Sequence, residues 1–266
     1  MNGKIELQSM ISLGEAARRL NVSPTTLQRL ADAGTIDVVR TSGGHRRISL
    51  AEIQRYRSEA GRQSRNIGDP LLLTLLSGDL RQVLNALRAL RAQAGSWAAA
   101  GDRVARSMTD LGQLWASGQC LVFEEHTASE ALRRATLDLI GQHKPKIRAK
   151  SAILLLPPKE QHVIGSLFAE LVLVESGWKT LWIGNAPPAK ELAPLWRAAV
   201  PDLIVASAST GLPVAGLRRF QERLELAANS HRIPLVLGGS GSWSHSGRSR
   251  SAANFVELAG LISDLS

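Results

Sequence analysis

The chain has one cysteine among its 266 residues. A single thiol forms no disulfide within the chain and builds no Cys-based zinc site, so Cys120 reads as a packing residue. Long apolar runs are missing as well. "LLLTLL" and "LVLV" fall far short of the roughly 20 residues needed to cross a bilayer, and "MNGKIELQSM" has no apolar secretory core. These absences predict a cytoplasmic protein with no membrane partner. Acidic charge is also in deficit, with 23 Asp and Glu against 32 Lys and Arg, a net charge of +9. The imbalance is uneven. Residues 1–65 hold 11 Lys and Arg but only 6 Asp and Glu, so a quarter of the chain carries over half of the excess. This points to nucleic acid at the N-terminal end.

What is there falls into segments with different periodicities. In "SLGEAARRL", Ser12 and Glu15 make a capping box ahead of an apolar face of Leu13, Ala16, Ala17 and Leu20. A second helix begins at Ser23 as N-cap with Pro24 in the first position, and ends at Gly34. "IDVVRTSGGHRRISL" reads as a hairpin around Gly43-Gly44, and a third helix starts from Ser49 and Glu52. Two short helices, a basic hairpin and a helix make a winged helix-turn-helix over residues 1–60. Thr25, Thr26, Gln28 and Arg29 lie near the start of the second helix, where base edges are read. Arg40, His45, Arg46 and Arg47 on the wing suit phosphates or a minor groove. "GGHRRISLAEI" resembles the wing and following helix of the MerR-type DNA-binding domain.

Polar, basic residues 61–69 are expected to form a linker. Residues 70–148 carry helical periodicity in four stretches with short connections, which predicts a four-helix bundle. Trp115 falls at the end of the third helix, with Glu125 and His126 in the first turns of the fourth. Taken alone, each reads as packing or surface.

Over residues 149–266 the period changes. "SAILLLPP", "TLWIGN", "DLIVASAS" and "PLVLGG" are strands separated by helical stretches, which predicts a doubly wound, Rossmann-like parallel sheet. "GSWSHSGRSRSAANFV" is expected to hold a fifth strand with no definable position. Trp178, Trp182 and Trp196 read as sheet–helix packing, and His245 as a solvated loop residue. Such sheets bind ligands at the C-terminal ends of their strands. There the sequence has Glu160, His162 and Gly165 in an E-x-H-x-x-G, then Ser207, then Gly238-Gly239, each expected in a strand-to-helix loop. The first strand end lacks an acidic pair and "VASAST" has no acceptor Asp, which argues against a phosphotransfer receiver. A flavodoxin-like sheet with a stray loop histidine stays open on the residues alone.

The E-x-H-x-x-G, Ser and Gly-Gly set resembles the cobalamin-binding domain family, with Glu160 in place of the usual Asp. That resemblance implies His162 as lower ligand of cobalt, Glu160 as the acid bonded to it, and Ser207 against the buried benzimidazole tail. The glycines would let the tail approach the backbone. Two residues after Ser207 stands Ser209, where relatives often have Leu or Thr. With the helix-turn-helix ahead and Trp115-x9-Glu125-His126 in the helical segment, the full chain resembles the CarH/LitR-type cobalamin-dependent photoreceptor repressors. The implied cofactor is adenosylcobalamin, its adenosyl group packed on Trp115 and bonded to Glu125. The implied partners are operator DNA and a second, third and fourth copy of the chain in a dark homotetramer. Light would break the cobalt–carbon bond, and His126 would then reach cobalt from above as the assembly releases DNA. A light-indifferent cobalamin-binding regulator is the alternative. A corrinoid methyl carrier is a further one, disfavoured by the DNA-binding segment; the family resemblance implies no enzyme activity.

Overall fold

The structure is a computed structural model that describes residues 10–20, 22–41, 43–62, 68–145 and 147–265, with the backbone alone for 57–62. The chain divides into two compact units. The first comprises the described residues up to Ser77 together with Ser107–Ala128; the second comprises Gly78–Arg106 and the described residues from Ser129 onward.

In the first unit, β1 (Met10–Ser12), α1 (Leu13–Leu20), α2 (Pro24–Asp32), β2 (Val39–Arg40), β3 (Arg46–Ser49) and α3 (Leu50–Arg62) follow in order. The caps foreseen in the sequence form. Ser23 accepts from the Thr26 N–H at 3.0 Å and Ser49 from the Glu52 N–H at 3.0 Å. Ser12 accepts from the Glu15 N–H at 3.2 Å, but the Glu15 carboxylate takes Arg19 rather than closing the box. The strands form a small antiparallel sheet in the order β1-β3-β2. Strand β1, three residues long, has too little periodicity to be read in sequence. Ile48 of β3 lies in a core with Ala16, Leu20, Leu27, Leu30 and Ile36. Helix α3 continues through Arg62, two residues past the boundary drawn at residue 60. The middle of the expected linker, residues 63–67, lies outside the described residues.

Four further helices follow: α4 (Pro70–Ser77), α5 (Leu80–Ala94), α6 (Trp97–Ala116) and α7 (Val122–Gly141). Helices α6 and α7 each contribute residues to both units. In the first unit, the Asp69 carboxylate caps α4 through the Leu71 N–H and also accepts from the buried Ser107 hydroxyl of α6.

In the second unit, β4 (Ser151–Leu156), α8 (Ile164–Glu175), β5 (Lys179–Asn185), α9 (Ala189–Ala199), β6 (Leu203–Ala208), α10 (Val214–Ser230), β7 (Leu235–Gly239), β8 (Arg250–Ser251) and α11 (Phe255–Ser263) alternate along the chain. The sheet order is β5-β4-β6-β7-β8 and every pairing is parallel. Strand β6 is buried along its whole length and β4 for all but its first residue, as a sheet covered on both faces requires. The chain reverses its winding between β4 and β6, so the ligand crevice of this topology opens at their carboxyl ends. The fifth strand, β8, is two exposed polar residues at an edge, which is why no apolar pattern marked it. Trp178 and Trp196 are buried, Trp182 is half-buried, and His245 is exposed.

The start of α6 is fastened within this second unit by carboxylates. Glu175 of α8 accepts the Trp97 N–H at 2.7 Å and the Arg91 guanidinium at 3.0 Å. Asp102 of α6 accepts the Phe255 N–H at 2.7 Å, at the start of α11. Each supplies an acceptor to amides that a helix leaves without one. Replacing Glu175 by Ala is expected to lower stability by about 1–2 kcal/mol, read as a lower urea midpoint with unchanged helical content.

Candidate functional site

His162 lies in the loop joining β4 to α8, three quarters exposed as a side chain, while the Glu160 side chain is almost wholly buried. The Glu160 carboxylate collects five hydrogen bonds. Oε1 accepts from the N–H groups of Gln161 (2.9 Å) and His162 (2.8 Å), from His162 Nδ1 (2.8 Å) and from the Ser209 hydroxyl (3.1 Å). Oε2 accepts from the Ser209 N–H at 2.7 Å. Burial alone would raise the acid's pKa, but the donors from His162 and Ser209 outweigh it and hold the group down at about 2. An ionised carboxylate only accepts, so His162 Nδ1 carries the proton. In the neutral ring Nε2 then keeps its lone pair, on an exposed imidazole whose tautomer and orientation are set. Asn185, at the end of β5, braces the same loop by donating to the Pro157 and Glu160 carbonyls at 2.8 and 3.1 Å.

Beside it, Ser207, Gly165, Gly238 and Gly239 come together. Ser207 is paired in register with Gly238, and Ala208 with Gly239. Ser207 lies within β6 and the two glycines within β7, not in the following loops as the sequence implied; the ladder persists to the strand ends because small residues pack there without distortion. Gly239 has φ +80°, and a Cβ there would stand 2.3 Å from the Ala208 carbonyl oxygen and 2.9 Å from the Ser207 hydroxyl. A Cβ on Gly165 would lie 3.8 Å from the same hydroxyl. Next to Gly165, the Ser166 hydroxyl is fully buried with no hydrogen-bond partner. A cradle of small residues with an orphaned hydroxyl accommodates a slender group that carries acceptors. Ser209, Asn185 and Ser166 were not foreseen as site residues. The only signal for them is their position at or beside strand ends that the topology makes adjacent.

Within the first unit, Trp115 ends α6 half-exposed, and Glu125 and His126 occupy the first turn and a half of α7. His126 Nδ1 meets Glu125 Oε2 at 2.6 Å, with the imidazole largely exposed. With Nδ1 on Glu125, Nε2 is the ring nitrogen that this carboxylate does not engage. The sequence reading separated the tasks of Glu125 and His126; the structure pairs them.

On the helix-turn-helix segment, Thr25, Gln28 and Arg29 are exposed on one side of α2, and Thr26 is half-exposed with its hydroxyl on Ser23. Arg40, His45 and Arg47 lie on the wing with Arg40 and His45 exposed. Arg46 is different. It alternates with Arg47 and shares the face of Ile48, and its guanidinium sits 2.6 Å from Asp32 of α2 with the side chain mostly covered. Arg46 thus ties the wing to α2 rather than standing clear for phosphate.

With this geometry in hand, comparison with known proteins is informative. The helix-turn-helix domain family matches residues 10–61. The HTH-type transcriptional repressor CarH of Myxococcus xanthus is 28% identical over 170 residues, covering 64% of this chain and 54% of the repressor. The chain therefore spans about half the length of that relative. The monomethylamine corrinoid protein of Methanosarcina barkeri superposes with a TM-score of 0.54 at 19% identity, over 76% of this chain and 99% of that one. Over that share of its length the chain has the fold of this corrinoid protein. A cobalamin-binding protein from Desulfitobacterium hafniense also aligns, with a TM-score of 0.37 at 14% identity over 74% of this chain and 97% of that one. The chain thus joins a match to the helix-turn-helix family to a fold shared with that corrinoid protein.

Two outcomes follow from the geometry. Glu160 is held near pKa 2 in the folded chain against an ordinary 4.5. Its contribution is therefore complete above about pH 4.5 and is lost as pH falls toward 2. Thermal denaturation of Glu160→Gln against the parent across that window should show a smaller acid dependence in the variant; parallel curves would count against the buried carboxylate. Arg46→Ala should lower the melting temperature of the winged segment, whereas Arg47→Ala should leave it in place.

Proposed function

We propose that the chain is a cobalamin-binding transcriptional regulator, with His162 as the lower cobalt ligand and the helix-turn-helix segment as its DNA reader. The observation that carries this is the Glu160–His162 pair: a buried acid with five donors turns an exposed imidazole so that Nε2 faces outward. It does so at the topological switch point of a corrinoid-type fold. Imidazole is a good ligand for cobalt, and the acid on its far nitrogen raises its donor strength. Ser207, Gly165, Gly238 and Gly239 would receive the cofactor's tail, with Ser166 as a further donor to it.

The finer reading follows the resemblance to the photoreceptor repressors. Trp115, Glu125 and His126 serve the upper side of the same cofactor, which is adenosylcobalamin. When bound, this cofactor supplies a cobalt–carbon bond that light cleaves. Trp115 would offer an apolar face to the adenosyl group, Glu125 a carboxylate, and His126 an imidazole to serve as a cobalt ligand in the illuminated protein. The four helices α4–α7 act as the cap, and a dark homotetramer sets several α2 helices on one operator. Thr25, Thr26, Gln28 and Arg29 read bases, while Arg40, His45 and Arg47 grip the backbone.

The test is to load the full chain with adenosylcobalamin and follow absorbance, size and duplex-DNA binding in darkness and under green light. We expect light to alter the spectrum, shrink the assembly and weaken DNA binding. A cobalamin-loaded protein whose size and DNA binding ignore light is instead the light-indifferent regulator. Under the same conditions His162→Ala should lose the spectrum of a nitrogen-ligated lower face, and its retention would reject that ligand. His126→Ala should change the spectrum of the illuminated protein; a spectrum identical to the parent's would remove His126 from the upper side. Arg47→Ala should weaken binding to all duplex sequences and reduce the salt slope by about one.

A further inference from the structure

The turn between α6 and α7 is built into the DNA-binding segment. Leu121 is buried in the same core as Leu27 and Leu30 of α2. Gly118, at φ +76°, lies so close to α2 that a Cβ there would stand 2.8 Å from Leu30 Cδ2. The Arg29 guanidinium donates to the Ala116 carbonyl at 3.4 Å. That carbonyl belongs to the last turn of α6, where oxygens lack helical partners and a cation is favoured. Three positions of one six-residue turn therefore bear on α2, and one of them engages a residue of the base-reading row.

The turn is also continuous with the candidate upper site. Trp115 immediately precedes Ala116, and the Gly118 N–H returns to the Trp115 carbonyl at 3.0 Å. At the other end, the Leu121 carbonyl accepts the N–H groups of both Glu124 and Glu125 at 3.0 Å, and the Glu124 carboxylate closes on the Leu121 N–H at 2.8 Å. The turn is thus bonded to Trp115 at one end and to the start of α7 at the other.

We propose that the turn Ala116–Leu121 is an internal docking surface for the recognition helix, and that it competes with duplex DNA for Arg29. With the turn docked, Arg29 is held on the Ala116 carbonyl; DNA binding draws Arg29 away and loosens the turn. A change at Trp115 or Glu125 shifts this competition, which gives those two residues a route to α2 within one compact unit. The inference rests on the DNA-binding reading above.

The experiment uses the full-length protein without cofactor and a mixed-sequence 30-base-pair duplex at low salt, with affinity read by fluorescence anisotropy. Gly118→Ala places a methyl group against Leu30 and is expected to tighten binding roughly three- to tenfold, the worth of one hydrogen bond and its local packing. Arg29→Ala alone should weaken binding, and adding Gly118→Ala to it should restore nothing, because the residue in dispute is gone. Equal gains in both backgrounds, or no gain in a Gly118→Ala protein with the parent's circular dichroism, overturn the proposal. Hydrogen exchange on the unmodified chain is the companion measurement. DNA should speed exchange of the Gly118–Leu121 amides, and unchanged or slower exchange there overturns it too. If the parent chain binds no duplex at all, it is the DNA-binding reading that fails, which the same anisotropy trace reveals before any variant is made.

Discussion

Everything around the candidate cofactor site depends on one buried carboxylate. Glu160 is almost fully covered yet stays ionised, because five donors converge on its two oxygens. An isolated carboxylate so placed would protonate. The donors come from its own loop and from the residue that follows β6, so the acid joins the two strands between which the sheet reverses its winding. Its bond to His162 Nδ1 also settles which nitrogen of that ring faces outward. Structural anchoring and imidazole orientation are thus one set of hydrogen bonds.

The same device occurs a second time in plainer form. Glu125 holds His126 through Nδ1 as Glu160 holds His162, here at the start of α7. Below this pair, the turn that joins α6 to α7 is packed into the helix-turn-helix core by Leu121 and Gly118. The helix-turn-helix segment is accordingly more than a module on a tether, although its length and charge alone give that impression.

Much of the architecture was legible because local rules and periodicity agree with the outcome. Ser23 and Pro24 start α2, and Ser49 starts α3. Apolar strands β4 and β6 are central, and helices fall where the period changes from 2 to 3.6. What escaped notice was short or polar. Strands β1 and β8 have three and two residues, too few to show a period. Arg46 and Arg47 are indistinguishable as neighbouring basic residues, and only the strand's alternation, which sends one toward Asp32 and the other away, separates a brace from a phosphate contact.

By itself, the sequence determined the order of the segments, the helix-turn-helix, the parallel sheet and the placing of Glu160, His162, Ser207 and the glycine pair near the carboxyl ends of the strands. These follow from interactions between residues close in the chain, which composition and spacing report directly. The tertiary structure alone decided that Ser209 and Asn185 support the Glu160–His162 loop, that Glu125 binds its neighbour His126, and that Leu121 belongs to the core of a domain more than sixty residues away in sequence. The reason is physical. Such pairings are made by strand order, helix packing and side-chain direction over long sequence separations, and no local pattern carries that information.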